Sequence, residues 1–206
     1  MESNETKNRR KQILKASLRG VKSFLEYFNA DSAYDYIYEA DVQADLYHSI
    51  KESLEPYKQE DWGEWSISTK SNVDTRTKTP CLIHCEQEYK GEKEKRIDIA
   101  IWDPTEENAR KHYANKDLLL LIEIKYRCKA KWAIEEVKKD YEKLKGLQLK
   151  DYQKGLALTF TCDSYENFIK ECAIQQKRKI DTSNIFEEKL IRAIVVCRDG
   201  IVEMQF

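Results

Sequence analysis

Apolar residues at Ile13, Leu14, Leu18, Val21, Phe24, Leu25 and Phe28 recur at helical spacing and predict an amphipathic helix from about Glu5 to Phe28. Asn29, Asp31 and Ser32 break and re-cap the chain. A second helix is expected from about Ala33 to Leu54, with Ile37, Val42, Leu46 and Ile50 inward and Pro56 as its stop. The pattern then shifts towards a two-residue period. Short strands are expected at Trp65–Thr69, anchored by Trp62, Trp65 and Ile67, and at Cys81–Tyr89. A turn at Lys90-Gly91-Glu92 leads into a strand around Arg96–Trp102, and a long loop from about Asp103 to Asp117 precedes the run Leu118–Lys125. Further on, the pattern predicts a helix over Ala130–Lys145, a buried strand over Leu156–Phe160 and a helix capped by Asp163 or Ser164 and running to about Lys177. Strands at Leu190–Cys197 and Ile201–Phe206 follow, joined at Asp199-Gly200. Strands and helices mixed in this way predict an α/β domain: a mixed central sheet with helices on both faces.

Two of these strands carry charge where burial is expected. Arg96-Ile97-Asp98-Ile99-Ala100-Ile101-Trp102 holds Asp98, and Leu118-Leu119-Leu120-Leu121-Ile122-Glu123-Ile124-Lys125 holds Glu123 and Lys125. A carboxylate in an apolar strand is costly unless it is paired or holds a cation. The unbroken run Leu118–Ile122 suits a strand covered on both faces rather than a surface hairpin. If the two strands form a hairpin in which facing residue numbers sum to 221, Asp98 faces Glu123 and Arg96 faces Lys125. Facing Cβ atoms lie about 4.5–5.5 Å apart, so two carboxylates placed there repel unless a cation lies between them. Lys125 is placed to orient a metal-bound water or to stabilise developing negative charge. A register slip of one residue would destroy the arrangement. The competing reading is a pair of structural acids neutralised by Lys125 and Arg96.

Asp98 followed by Glu123-Ile124-Lys125 resembles the signature of the PD-(D/E)XK nuclease superfamily, which has the restriction-endonuclease-like fold. The likeness spans roughly Glu39 to Phe160, and rests on the order helix, strand, Asp strand, Glu-x-Lys strand, helix, strand. Ile97 stands where the family often has Pro, and the hairpin loop is long. The resemblance implies a restriction-endonuclease-like core over residues 31–206, preceded by a basic amphipathic helix over residues 1–30. It implies a metal-dependent nuclease that hydrolyses DNA phosphodiester bonds with a metal-activated water. Mg²⁺ or Mn²⁺ would be held by Asp98, Glu123 and the Ile124 carbonyl. Glu39, on the helix before the first strand, would complete the set, and Lys125 would be catalytic. Asp41, Gln43 and Asp45 compete locally with Glu39 for that place. The other function class is a catalytically inactive module of the same fold that binds nucleic acid or protein. A third reading is a structure-specific enzyme, which would require a homodimer.

Composition narrows the partners only in part. A formal net charge of −1 shows no global preference for nucleic acid, but Lys7, Arg9, Arg10, Lys11, Lys15, Arg19 and Lys22 form a run without an acid. Such a run contacts phosphates or forms a solvated helix face. No stretch approaches the roughly 20 apolar residues that span a bilayer, and the N-terminus has no apolar signal core. Six scattered cysteines fit reduced thiols better than a disulfide framework, so a cytoplasmic location is expected. Cys81, His84 and Cys85 are not read as a zinc site, because a strand holds the outer sulfurs about 13 Å apart, beyond the reach of one ion. Lys143 is a weaker candidate for touching a substrate phosphate, and His112, beside Arg110, Lys111 and Lys116, for a base or backbone contact.

Overall fold

The computed structural model describes residues 3–29, 36, 38–57, 67–69, 72–74, 82–89, 92–105, 107–108, 111, 115–127, 129–171, 177–180 and 190–206. Helix α1 spans Asn4–Asn29 and α2 spans Glu39–Leu54, followed by a 3₁₀ turn at Glu55–Tyr57. Strands β1 (Ile67–Thr69) and β2 (Asn72–Asp74) form a separate antiparallel pair. The main sheet is built from β3 (Ile83–Tyr89), β4 (Glu92–Trp102), β5 (Leu118–Tyr126), β6 (Lys154–Phe160), β7 (Lys177–Ile180), β8 (Ile191–Cys197) and β9 (Gly200–Met204). Helices α3 (Ala130–Gly146) and α4 (Tyr165–Glu171) lie between its later strands in sequence. Spatial order is β3-β4-β5-β6-β8-β9-β7, with β5, β6 and β8 parallel and the other neighbours antiparallel. The molecule is therefore an α/β protein with a mixed sheet flanked by helices, as the patterning predicts.

The two faces of the sheet can be assigned residue by residue. Phe24 and Phe28 of α1 pack edge-on against Phe160, with ring centroids 5.6 and 4.9 Å away. Phe160 therefore faces α1, and Leu158 and Leu156 share that face by alternation. A Cβ on Gly155 would meet Leu144 of α3 at 3.4 Å, so Gly155, Ala157 and Thr159 face α3. Their ladder partners Leu121, Glu123 and Lys125 face α3 as well. Small residues at 155 and 157 let this helix lie close on the sheet.

Several elements depart from the sequence reading, which foresaw neither β2 nor β7. Helix α2 starts at Glu39, because Tyr38 is extended (φ −123°, ψ 152°) and its N–H donates to the Asp41 carboxylate at 3.1 Å. Lys177 belongs not to a helix but to β7, which pairs with β9 at the sheet edge. The final strand ends at Met204. Trp62, Trp65, Cys81 and His112 lie outside the described residues. Asn108 closes the long β4–β5 loop: its amide donates to the Asp103 and Asp117 carbonyls, each at 2.9 Å, and accepts from the Asp117 N–H at 2.7 Å. Among the described residues, no helix is long and apolar enough to cross a membrane.

Helices α1 and α2 touch at backbone level. A Cβ on Gly20 would stand 2.5 Å from the Ile50 Cα, and Ser49 Oγ donates to the Gly20 carbonyl at 2.9 Å. Gly20→Ala is expected to lower stability by about 1–3 kcal/mol through this overlap, despite the better helix propensity of alanine. Urea unfolding should show a lower midpoint with an unchanged slope.

Candidate active site

The β4–β5 ladder follows the expected register at Ile99↔Ile122, Ala100↔Leu121 and Ile101↔Leu120, then ends where the charged residues begin. Beyond Ile99, β4 continues alongside β3 while β5 continues alongside β6. A side chain bridges the parting strands: the Ile124 N–H donates to Asp98 Oδ2 at 2.6 Å. Gln43 of α2 donates through Nε2 to the Asp98 carbonyl at 2.8 Å. On the other flank, the β3 ladder skips Glu86, whose φ of 52° is in the left-handed region, sparsely used by residues other than glycine. The expected Arg96–Lys125 pair is not made. Arg96 pairs with Glu88 instead, and its carbonyl accepts from Lys143 Nζ at 2.5 Å.

Asp98 and Glu123 remain on the same face. Ala100 lies opposite Leu121, and each acid is two residues from one of these. Glu123 is 1% exposed. Its Oε2 accepts from Lys143 Nζ at 2.7 Å, while its Oε1 is buried with no hydrogen-bond partner. Burial, followed by the charge of Asp98, pushes its pKa to about 8 despite Lys143. Burial also raises Asp98, against the opposing Ile124 N–H and Lys125.

Lys125 links strand and helix. Its Nζ donates to Glu39 Oε1 at 3.0 Å and to the Ile124 carbonyl at 2.7 Å, and lies 3.7 Å from Asp98 Oδ2. Burial pulls the Lys125 ammonium down, but Asp98, Glu39 and Asp140 outweigh it, leaving the pKa above its usual value. Glu39, the first residue of α2, also accepts from the Tyr126 N–H at 3.3 Å and lies 3.5 Å from Arg127. The structure thus brings Asp98, Glu123, Lys125 and Glu39 together. The side chains of Asp98, Lys125 and Glu39 are 18%, 21% and 37% exposed, so the cluster has an open side. The Ile124 carbonyl faces the Lys125 amine.

Three participants go beyond the Asp, Glu-x-Lys pattern. Lys143 is bound directly to Glu123. Gln43 holds the Asp98 backbone, and lies four residues after Glu39, a spacing that puts both on one helix face. Asp140 sits in the buried stripe Ala130, Ala133, Val137, Asp140 and Leu144. A carboxylate in that stripe was the available signal.

The basic run of α1 divides. Arg10 is taken by Asp103, with Nε–Oδ1 2.7 Å and its terminal nitrogen 2.5 Å from Oδ2, and it lies 3.8 Å over the Tyr152 ring. Lys7, Lys11, Lys15 and Arg19 stay on the outer face. A polar cleft of about 610 Å³ adjoins Arg10. There Lys111 and Lys150 both pair with Asp117, and the acids offset the bases. Of the other basic candidates, Lys116 is buried and donates to the Asn108 carbonyl. Cys85, Cys162 and Cys197 carry no disulfide, and His84 stacks on Trp102 at 3.6 Å.

A hard cation needs oxygen ligands with unused lone pairs. Glu123 Oε1 is one, and the charge that Asp98 and Glu123 impose on each other is what a divalent ion relieves. The donor set fits such an ion. As placed, Lys125 and Lys143 pair with Glu39 and Glu123, and no three His, Cys, Asp or Glu side chains among the described residues form a ready metal cage. Compared with protein-family models, curated proteins and solved structures, the chain matches none.

The Glu123 shift gives a sign for pH dependence. With a folded pKa near 8 and an ordinary value of 4.5, the folded protein binds more protons than the unfolded chain between these limits. Stability should therefore be highest below the lower limit and fall as pH rises towards the upper one. Thermal melts in a chelator at pH 5 and pH 8 should show this fall, and Glu123→Gln should flatten it.

Proposed function

We propose that the protein is a metal-dependent nuclease that hydrolyses DNA phosphodiester bonds, built on a restriction-endonuclease-like core. The observation that carries this reading is the junction where β4 and β5 part. There Asp98, Glu123 and Lys125 share one face, and Glu39 reaches them from α2. Asp98 and Glu123 would hold Mg²⁺ or Mn²⁺, with Glu39 and the Ile124 carbonyl as further oxygen donors. Bound there, the ion would supply Lewis acidity towards the phosphate and a water of lowered pKa. Lys125 stays charged beside Asp98 and Glu39, so it orients the attacking water and stabilises negative charge on the phosphate rather than acting as a base. Glu39 fixes the amine through its 3.0 Å contact. Gln43 keeps Asp98 in place by gripping its carbonyl. The exposed lysines of α1 suit a polyanion.

The second reading is an inactive module on the same scaffold, binding nucleic acid or protein. One feature favours it: Lys125 and Lys143 already pair with Glu39 and Glu123, as lysines in structural ion pairs do.

The deciding assay is incubation of the pure protein with supercoiled, linear, single-stranded and branched DNA, with and without Mg²⁺ or Mn²⁺. Metal-dependent cleavage is expected. Lys125→Ala should keep its circular dichroism spectrum and lose about 100-fold or more in rate, the scale for removing one charge-stabilising donor. Absence of Mn²⁺ binding together with no cleavage of any form would favour the second reading. Undiminished cleavage by Lys125→Ala would remove the role given to the amine.

A further inference from the structure

Asp140 occupies a position where helix packing calls for an apolar side chain. It is 7% exposed, and its Oδ2 is buried without a hydrogen-bond partner. Two other buried oxygens on the facing strands are in the same condition: Glu123 Oε1 on β5 and Thr159 Oγ1 on β6. Thr159 is fully buried and is the ladder partner of Lys125, while Ala157 is the partner of Glu123. All three residues lie at the interface between α3 and the sheet. Among the described residues, the only other buried side-chain oxygen or nitrogen without a partner is Asn29 Oδ1.

An unsatisfied buried polar group is costly, and native proteins meet such groups with ordered water or an ion. The charges favour an ion. Asp98 and Asp140 raise the proton affinity of Glu123, and burial, opposed by Lys125 and helped by Asp98, pushes Asp140 to about 6. With Glu39 there are four carboxylates around the two amines Lys125 and Lys143. Arg127 lies 3.5 Å from Glu39 and 3.7 Å from Glu136, and Glu136 also pairs with Lys139 at 2.8 Å. The carboxyl groups outnumber the amines, so they repel one another when ionised. A water satisfies lone pairs but leaves that repulsion in place. A hard divalent cation does both, and hydroxyl and carboxylate oxygens are the ligands it prefers.

We propose that Asp140 and Thr159 belong to the cation site, forming with Glu123 Oε1 an inner position for Mg²⁺ or Mn²⁺ beneath α3. This rests on the metal-binding reading above and adds to it two residues outside the Asp, Glu-x-Lys pattern. Cation binding there competes with Lys143 for Glu123. Asp140 is thereby a ligand of the ion rather than a structural acid.

The test is calorimetric titration of MnCl₂ into the full chain, with electron paramagnetic resonance of bound Mn²⁺ as a second readout. Wild type, Asp98→Asn, Asp140→Asn and Thr159→Val are compared, each checked by circular dichroism. Asp140→Asn should weaken Mn²⁺ binding at least tenfold, Thr159→Val severalfold, and both should change the spectrum of the bound ion. In a chelator, Asp140→Asn should melt no lower than wild type, because it removes a buried charge. If Asp140→Asn binds within twofold of wild type while Asp98→Asn is impaired, the inner position is wrong and the metal reading stands. If the wild type binds no Mn²⁺, both fail.

Discussion

The structure is organised around one expensive group, the carboxyl of Glu123, buried on β5 just past the point where its ladder with β4 ends. A buried, uncompensated charge costs several kcal/mol, comparable to much of a domain's total stability of about 5–15 kcal/mol. Lys143 provides the compensation. Its amine reaches both Glu123 and the carbonyl of Arg96, so one side chain ties α3 to β5 and β4. The helix can approach because Gly155 and Ala157 leave room beneath it.

A second constraint follows from the break in the β4–β5 ladder. Strands that part leave backbone groups to satisfy, and two side chains meet part of that need. Asp98 receives the Ile124 N–H, and Gln43 donates to the Asp98 carbonyl. The strand order thus has a designed interruption rather than a frayed end. Glu39 of α2 reaches Lys125 of β5 beside this break. The left-handed Glu86 beside it belongs to the same local departure from regular pairing.

What was legible in the sequence was what depends on local period. The apolar spacing of α1 and the covered run of β5 follow from local period, whereas the β4–β5 register is an assumption that holds only over Ile99–Ile101. The parting of the strands was not legible, because it depends on a side chain replacing a backbone partner across 26 residues of sequence. Nor was the fate of Arg10, one of a basic run in sequence yet bound to Asp103, which is 93 residues away. The start of α2 turned on the extended backbone of Tyr38, stabilised by Asp41 rather than by any change in apolar pattern. Asp140 was visible only as a charge among charges until the buried stripe of α3 was known.

The same stripe shows where folding and chemistry compete. A sequence chosen for packing alone would place leucine at 140 and valine at 159, and would remove two buried oxygens that have no partner. Each substitution would relieve a cost of about 1–3 kcal/mol. Local rules are broken most often where function offsets the loss, and here three such breaks, at Glu123, Asp140 and Thr159, lie between one helix and two adjacent strands. The residues around them obey the rules closely: Ala133, Val137, Leu144, Ala157 and Leu121 are all buried and apolar. A packed frame confines its polar defects to one place, where ordered neighbours hold each carboxyl group in a fixed position.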